Sequence, residues 1–218
     1  MNDTVQTTAA QCALALPEIV SMILQWICLG CRRWDSVWYF IALKRPILDC
    51  GLVNWVWFHQ AMRYLWKKPI PGDLPKLLEK VTPQRRQLYA NLVEEAGMCV
   101  INGHRVPYYD AMLRELRFPK LKFLTLRTEP GHKQSQDFEC HIPRLGSNHI
   151  KTVFIDCSYR MWPALATYEM HEVLRQIPAA FPEVEDICFD KAQEATIGAE
   201  EWLAQQLPGK QFIFLNFF

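Results

Sequence analysis

The sequence predicts a mixed chain, of the α+β or α/β class, in which an N-terminal helical module precedes a short, irregular solenoid with parallel strands. Three observations carry that prediction. Two stretches near the N-terminus place apolar residues at helical spacing. One pattern, apolar-x-x-apolar-x-apolar, recurs as LKFLTL at 121–126, IKTVFI at 150–155, VEDICF at 184–189 and FIFLNF at 212–217, copies that begin 29, 34 and 28 residues apart. The segments between the copies are patterned as helices, and strands alternating with helices imply parallel strands joined by right-handed crossovers.

The elements follow in order. Residues 1–13 are small and polar and are expected to form a disordered tail. Leu16, Ile19, Val20, Ile23, Leu24 and Ile27 fall on one helical face, with Pro17 in the first turn, where its missing N–H removes no bond. A second face runs through Leu52, Val53, Val56, Trp57, Ala61, Tyr64 and Leu65 and stops at Lys67-Lys68-Pro69, where cations suit a helix C-terminus. Together these define a helical module over 14–69. It contains an insert at about 29–46 whose lack of period leaves helix and strand equally open. Residues 70–81 are punctuated by proline and read as a linker with a short helix. From 82 to 218 the pattern becomes repetitive. A helix starts at Thr82-Pro83 and runs to Gly97, a weak strand follows at 99–101, and helices are expected near 109–116, 164–177 and 199–207. A long loop is expected over 128–148.

The strand copies carry Lys122, Lys151, Thr152, Glu185 and Asp186 inside the motif. Strands buried on both faces read as continuous apolar runs, so this polarity favours a solenoid with one open face over a compact doubly wound domain, which shows the same alternation. The spacing is the strand signature of a leucine-rich repeat, a surface built to bind another protein. Side chains alternate along a strand, so Phe123, Thr125, Arg127, Thr152, Phe154, Asp156, Asp186 and Cys188 form the candidate recognition face. The alternative is that Phe123 and Phe154 lie under the 128–148 loop. The last copy is apolar and has no polar cap, which implies a truncated array or an edge that meets something.

Of 218 residues half are apolar, enough for a substantial core, and the net charge of +1 gives no pull toward nucleic acid or an anionic membrane. The longest unbroken apolar run, 37–43, is far short of the roughly 20 residues that cross a bilayer. No basic residue precedes the first apolar run, and Pro17 and Glu18 interrupt it, so it does not read as a secretory signal. The expectation is a cytoplasmic or nuclear protein.

Catalytic patterns are missing. There is no G-x-G-x-x-G, no phosphate-binding G-x-x-x-x-G-K and no G-x-S-x-G, and His171-Glu172 has no second histidine at metalloprotease spacing. The chain is not expected to be an enzyme or to hold a cofactor. Cys50, Cys99, Cys157 and Cys188 lie in apolar segments and read as reduced core residues. Cys28-Leu29-Gly30-Cys31 could hold zinc or act as a redox pair, but no second C-x-x-C or H-x-x-x-H completes a tetrahedral site, and Cys140-His141 with His149 is a poor substitute. No metal is expected.

LPEIVSMILQWI at 16–27 resembles the opening helix of an F-box, and CGLVNWVWFHQAMRYLWKKP at 50–69 resembles its closing segment, with a cysteine, a Leu-Val pair and a tryptophan before a terminal Leu-Trp. With RRQLYANLVEE and LRFPKLKFLTL downstream, the chain is similar to fungal-type F-box proteins whose C-terminal region is a degenerate leucine-rich repeat. That resemblance implies that Leu16, Pro17, Ile19, Val20, Ile23, Leu24, Leu52, Val53 and Trp57 dock a Skp-type adaptor of a cullin–RING ubiquitin ligase. It also implies that the repeat region presents a protein substrate for transfer chemistry performed elsewhere. About twenty residues separate the two helices here, where the family usually has only a few. A plain repeat scaffold, whose N-terminal helices only cap the solenoid, is the competing reading.

Overall fold

The computed structural model describes residues 8–30, 45–69, 73–100, 106–128, 141–156, 167–190, 205 and 207–215. The chain divides into two compact units, Met1–Pro71 and Gly72–Phe218. Among the described residues no helix is long and apolar enough to cross a membrane.

The first unit is helical. Helix α1 (Ala9–Ala13) occupies part of the expected tail and is closed by a capping box, in which the Thr8 hydroxyl accepts from the Gln11 N–H while the Gln11 side chain accepts from the Thr8 N–H. Helix α2 spans Pro17–Gly30, α3 covers residues 45–51 and α4 spans Trp55–Lys67. The core is the predicted stripe of α2, Val20 and Leu24, packed with Ile47 of α3 and with Trp57, Ala61 and Leu65 of α4. The insert is helical at both ends, while residues 31–44 lie outside the described residues.

Two bonds fix the relation of α2 to α4. The Trp57 indole N–H donates to the Leu14 carbonyl at 2.9 Å, and the Tyr64 hydroxyl donates to the Ser21 carbonyl at 3.0 Å. Both pairs advance together by two helical turns, so the helices run in the same direction and their N-termini lie at one end of the unit.

The second unit opens with α5 (Leu74–Glu79) and α6 (Pro83–Ala90), followed by β1 (Glu95–Val100), α7 (Val106–Arg114), β2 (Arg117–Phe118) and β3 (Phe123–Thr128). Then come β4 (Ser147–Asn148), β5 (Thr152–Asp156), α8 (Thr167–Ala180), β6 (Asp186–Asp190) and β7 (Gln211–Leu215). The main sheet has the order β1-β3-β5-β6-β7, every pair is parallel, and β2 and β4 form a separate short parallel pair. Strands added one after another in the same direction by right-handed crossovers put every connection on one face. A doubly wound domain reverses its strand order part-way and covers both faces.

The register corrects two sequence expectations. Strand β1 begins at Glu95 rather than at Cys99, because VEEAGM already carries the motif: Val93, Ala96 and Met98 are buried and stand level with Leu121, Leu124 and Leu126. Helix α6 accordingly ends at Ala90, and Gly97 is a strand residue rather than a helix stop. In the last copy Phe212 pairs with Ile187, the second anchor of its neighbour, not with Val184. The motif as read from FIFLNF is therefore three residues late. Gly209, in the left-handed region at φ 79°, stands where the other copies place their first apolar anchor.

A common backbone device leads into four strands. Val93, Leu121, Val184 and Lys210 N–H groups donate to the carbonyls of Ala90, Phe118, Phe181 and Leu207 at 3.2–3.3 Å, and all four acceptor residues are buried. Three of these turns read apolar-Pro-x-x in sequence, at 118–121, 181–184 and 207–210. The edge at β1 is closed by Asp73, whose carboxylate accepts the Cys99 N–H at 3.1 Å, and by α5, whose Leu74, Pro75 and Leu78 are buried.

Residues 141–148, expected as part of a long loop, are tied to the helices. Asp110 of α7, the buried charged residue among those described, accepts the Arg144 N–H at 2.9 Å and stands 3.4 Å from His141 Nε2 and from the Arg114 guanidinium. Gln176 of α8 accepts the Ile142 N–H at 3.0 Å. The Gly146 N–H donates to Leu113 O at 3.1 Å, an approach so close that a Cβ there would lie 2.0 Å from the Arg114 carbonyl oxygen.

Candidate docking surfaces

The first unit exposes apolar side chains to an unusual degree. Of the ten large apolar residues exposed among those described, eight belong to it: Leu14, Leu16, Met22, Trp26, Leu48, Leu52, Val53 and Trp55. Leu88 and Tyr108 are the other two, so among the described residues the exposure is concentrated in this unit. Contiguous exposed apolar surface marks an interaction site.

The concentration has a geometric origin. On α2 the core stripe runs through Val20 and Leu24, and one turn N-terminal it reaches Leu16, 51% exposed. On α4 the stripe runs through Trp57, Ala61 and Leu65, and in the turn just before the helix Val53 is 62% exposed. Because the helices are parallel, the apolar residues that precede each of them lie at the same end of the unit. Leu14, Leu52 and Trp55 stand at this end too. The Trp55 ring stacks on Phe58 at 5.7 Å and meets His59 edge-on at 4.2 Å, which orients the indole while leaving it 70% exposed.

Of the adaptor residues implied by the F-box resemblance, Leu16, Pro17, Leu52 and Val53 are exposed here, and Ile19 and Ile23 are half-buried. Val20, Leu24 and Trp57 are core residues instead, at 0%, 0% and 8% exposure, because each lies on the face that α2 and α4 turn toward one another. Leu52 and Val53 lie in the turn before α4 and not on the helix, since Asn54 caps it by accepting the Val56 and Trp57 N–H groups at 2.9 and 3.1 Å. Leu14 and Trp55 were missed by sequence reasoning. The Asn54 cap was the available signal, because it marks Leu52 to Trp55 as a helix start whose apolar residues have no preceding turn to cover them.

The second unit presents its candidate face as cross-strand rows. Glu95, Phe123, Thr152, Asp186 and Gln211 form one, and Gly97, Thr125, Phe154, Cys188 and Ile213 the next. Arg127 and Asp156 pair in a third. Phe123, Thr125, Arg127, Thr152, Phe154 and Asp186 are half-buried, whereas the alternate positions Leu124, Leu126, Val153, Ile155, Ile187 and Phe189 are essentially inaccessible. Among the described residues, then, these positions are partly accessible while the alternate face is core. Cys188 is the exception, at 5% exposure: the short thiol is recessed between Phe154 and Ile213 in its row, so it does not serve as a contact. Asp156 is placed here by register alone. The segment expected to cover Phe123 and Phe154 falls largely at 129–140, outside the described residues.

Side-chain chemistry follows the same ladder. Lys151 pairs with Glu185, which raises the lysine pKa, and His149 lies 3.1 Å from Glu183. Burial, reinforced by Asp186, pushes the Cys188 thiol pKa up, and burial with Asp49 does the same at Cys50. These thiols are protonated structural groups at neutral pH. Cys31, Cys140 and Cys157 lie outside the described residues, among which no group of histidines, cysteines and acids could hold a metal. No family model, curated protein or solved structure matches the chain.

Proposed function

We propose that this chain is a substrate receptor of a Skp–cullin–F-box ubiquitin ligase, with the first unit docking the adaptor and the open sheet face of the second receiving the target protein. The observation that carries the reading is the end of the first unit, where Leu14, Leu16, Leu52, Val53 and Trp55 project beyond the core. A helical unit this small gains stability by covering such a surface with a partner. The F-box resemblance names the adaptor as that partner. The sequential parallel sheet supports the other half, because a leucine-rich-repeat solenoid orders its strands in this way and keeps one face open.

The experiment is co-purification of the full chain with a Skp-type adaptor. Wild-type protein retains the adaptor, and Leu16→Asp combined with Val53→Asp loses it while keeping its far-ultraviolet dichroism, since both side chains lie outside the core. Absence of adaptor binding by the wild type, or retention by the double variant, overturns the proposal in favour of a scaffold that binds no ligase.

A further inference from the structure

Strand β7 differs from its four neighbours in one respect. On the core face of β1, β3, β5 and β6, the eight residues Ala96, Met98, Leu124, Leu126, Val153, Ile155, Ile187 and Phe189 are at most 3% exposed, yet their counterparts on β7, Phe212 and Phe214, are only half-buried. Both rings stack on Phe189, at 6.4 and 5.4 Å, and so are oriented by it. Among the described residues no strand lies beyond β7.

The backbone specifies what would fit there. The Gln211 N–H donates to Glu185 O, so Gln211, Ile213 and Leu215 turn their polar groups toward β6. Phe212 and Phe214 turn theirs outward. QFIFL carries no charge, and the preceding Lys210 commits its ammonium to Val184 O at 2.6 Å, so the devices that usually guard an edge are absent from this strand. The opposite edge, at β1, is guarded by Asp73 and α5.

We propose that β7 is a seam at which two copies of this chain join edge to edge, antiparallel, about a two-fold axis midway between their Ile213 residues. An axis normal to the sheet reverses strand direction and keeps the core face on the same side. Phe212 then opposes Phe214 of the second copy, and Phe214 opposes its Phe212. Each opposed pair exchanges two N–H to C=O bonds, four in all, using the groups that point outward. The phenylalanines half-covered by Phe189 are completed by the second copy's rings on the same face, and no like charges meet. The sequence is self-complementary in this register, Phe-Ile-Phe read in either direction, which favours a second copy over an unrelated strand. This inference does not depend on the ligase reading.

Light scattering of the purified full chain over a concentration series tests it. The expected result is a concentration-dependent dimer, whose mass halves in Phe214→Pro. Proline at 214 removes an outward N–H and no bond to β6. A second variant, Ile213→Cys in a Cys188→Ala background, places two thiols at a non-hydrogen-bonded pair with Cα atoms about 4.5 Å apart, within disulfide reach. On mild oxidation by oxygen with copper phenanthroline it should give a covalent dimer whose peptide map shows position 213 joined to itself. If Phe214→Pro loses its folded dichroism, the 213 linkage alone decides. A monomer at every concentration, a dimer unchanged in folded Phe214→Pro, or no 213–213 linkage overturns the proposal.

Discussion

At the scale of single residues, Gly146 carries a requirement that composition conceals. Its neighbour is the Arg114 backbone carbonyl, which cannot rotate aside, so Gly146→Ala forces the 141–148 segment away from α7 and should destabilise the second unit by about 1–3 kcal/mol. A urea denaturation midpoint measures it. Asp110 is the companion case, because Asp110→Ala strands the Arg144 N–H and removes the hydrogen-bond partner of His141 and the counter-charge of Arg114, for a loss of about 1–3 kcal/mol. Neither role was legible beforehand, since each depends on a segment some thirty residues away. The cysteines were readable in part: apolar neighbours marked Cys99 and Cys188 as core, which they are, whereas Cys50 is half-buried and Cys157 lies outside the described residues. Iodoacetamide should therefore modify exposed Cys12 in the native protein and reach Cys99 and Cys188 only after denaturation. The folded Cys188 pKa lies above its ordinary 9.0, so its contribution to stability is complete below pH 9.0 and is lost as pH rises through the folded value. Cys188→Ser should flatten that alkaline fall.

At the scale of elements, the helices were legible where the apolar stripe was long and were misplaced where a cap decided the boundary. The α2 stripe was read correctly from Val20 onward, while the α4 stripe was extended through Asn54 because Leu52 and Val53 happen to continue its period. Asn54→Ala removes two bonds to the first turn and should cost about 1 kcal/mol in the first unit, read as a lower thermal midpoint. Three strand positions were correct, since β3, β5 and β6 carry three strong anchors each. The first copy was missed because Ala96 and Gly97 are poor strand formers, and the last was misaligned because Gly209 occupies an anchor position. The apolar-Pro-x-x turns at 118, 181 and 207 would have set the phase better than the apolar spacing alone.

At the scale of the whole molecule, the alternation of helices and strands established a mixed parallel architecture, and the polar residues between anchors marked the strand face that is less buried. What sequence could not give was the parallel course of α2 and α4, which depends on side chain to backbone bonds spanning 43 residues and which gathers Leu14, Leu16, Leu52, Val53 and Trp55 at one end. The central claim is that this end is covered by a ligase adaptor. Hydrogen–deuterium exchange of the full chain with and without a purified Skp-type adaptor tests it most directly. The account predicts that the adaptor slows exchange at residues 14–20 and 52–58 and leaves the β-sheet unchanged, whereas identical exchange in both samples, or protection confined to the sheet, would contradict it.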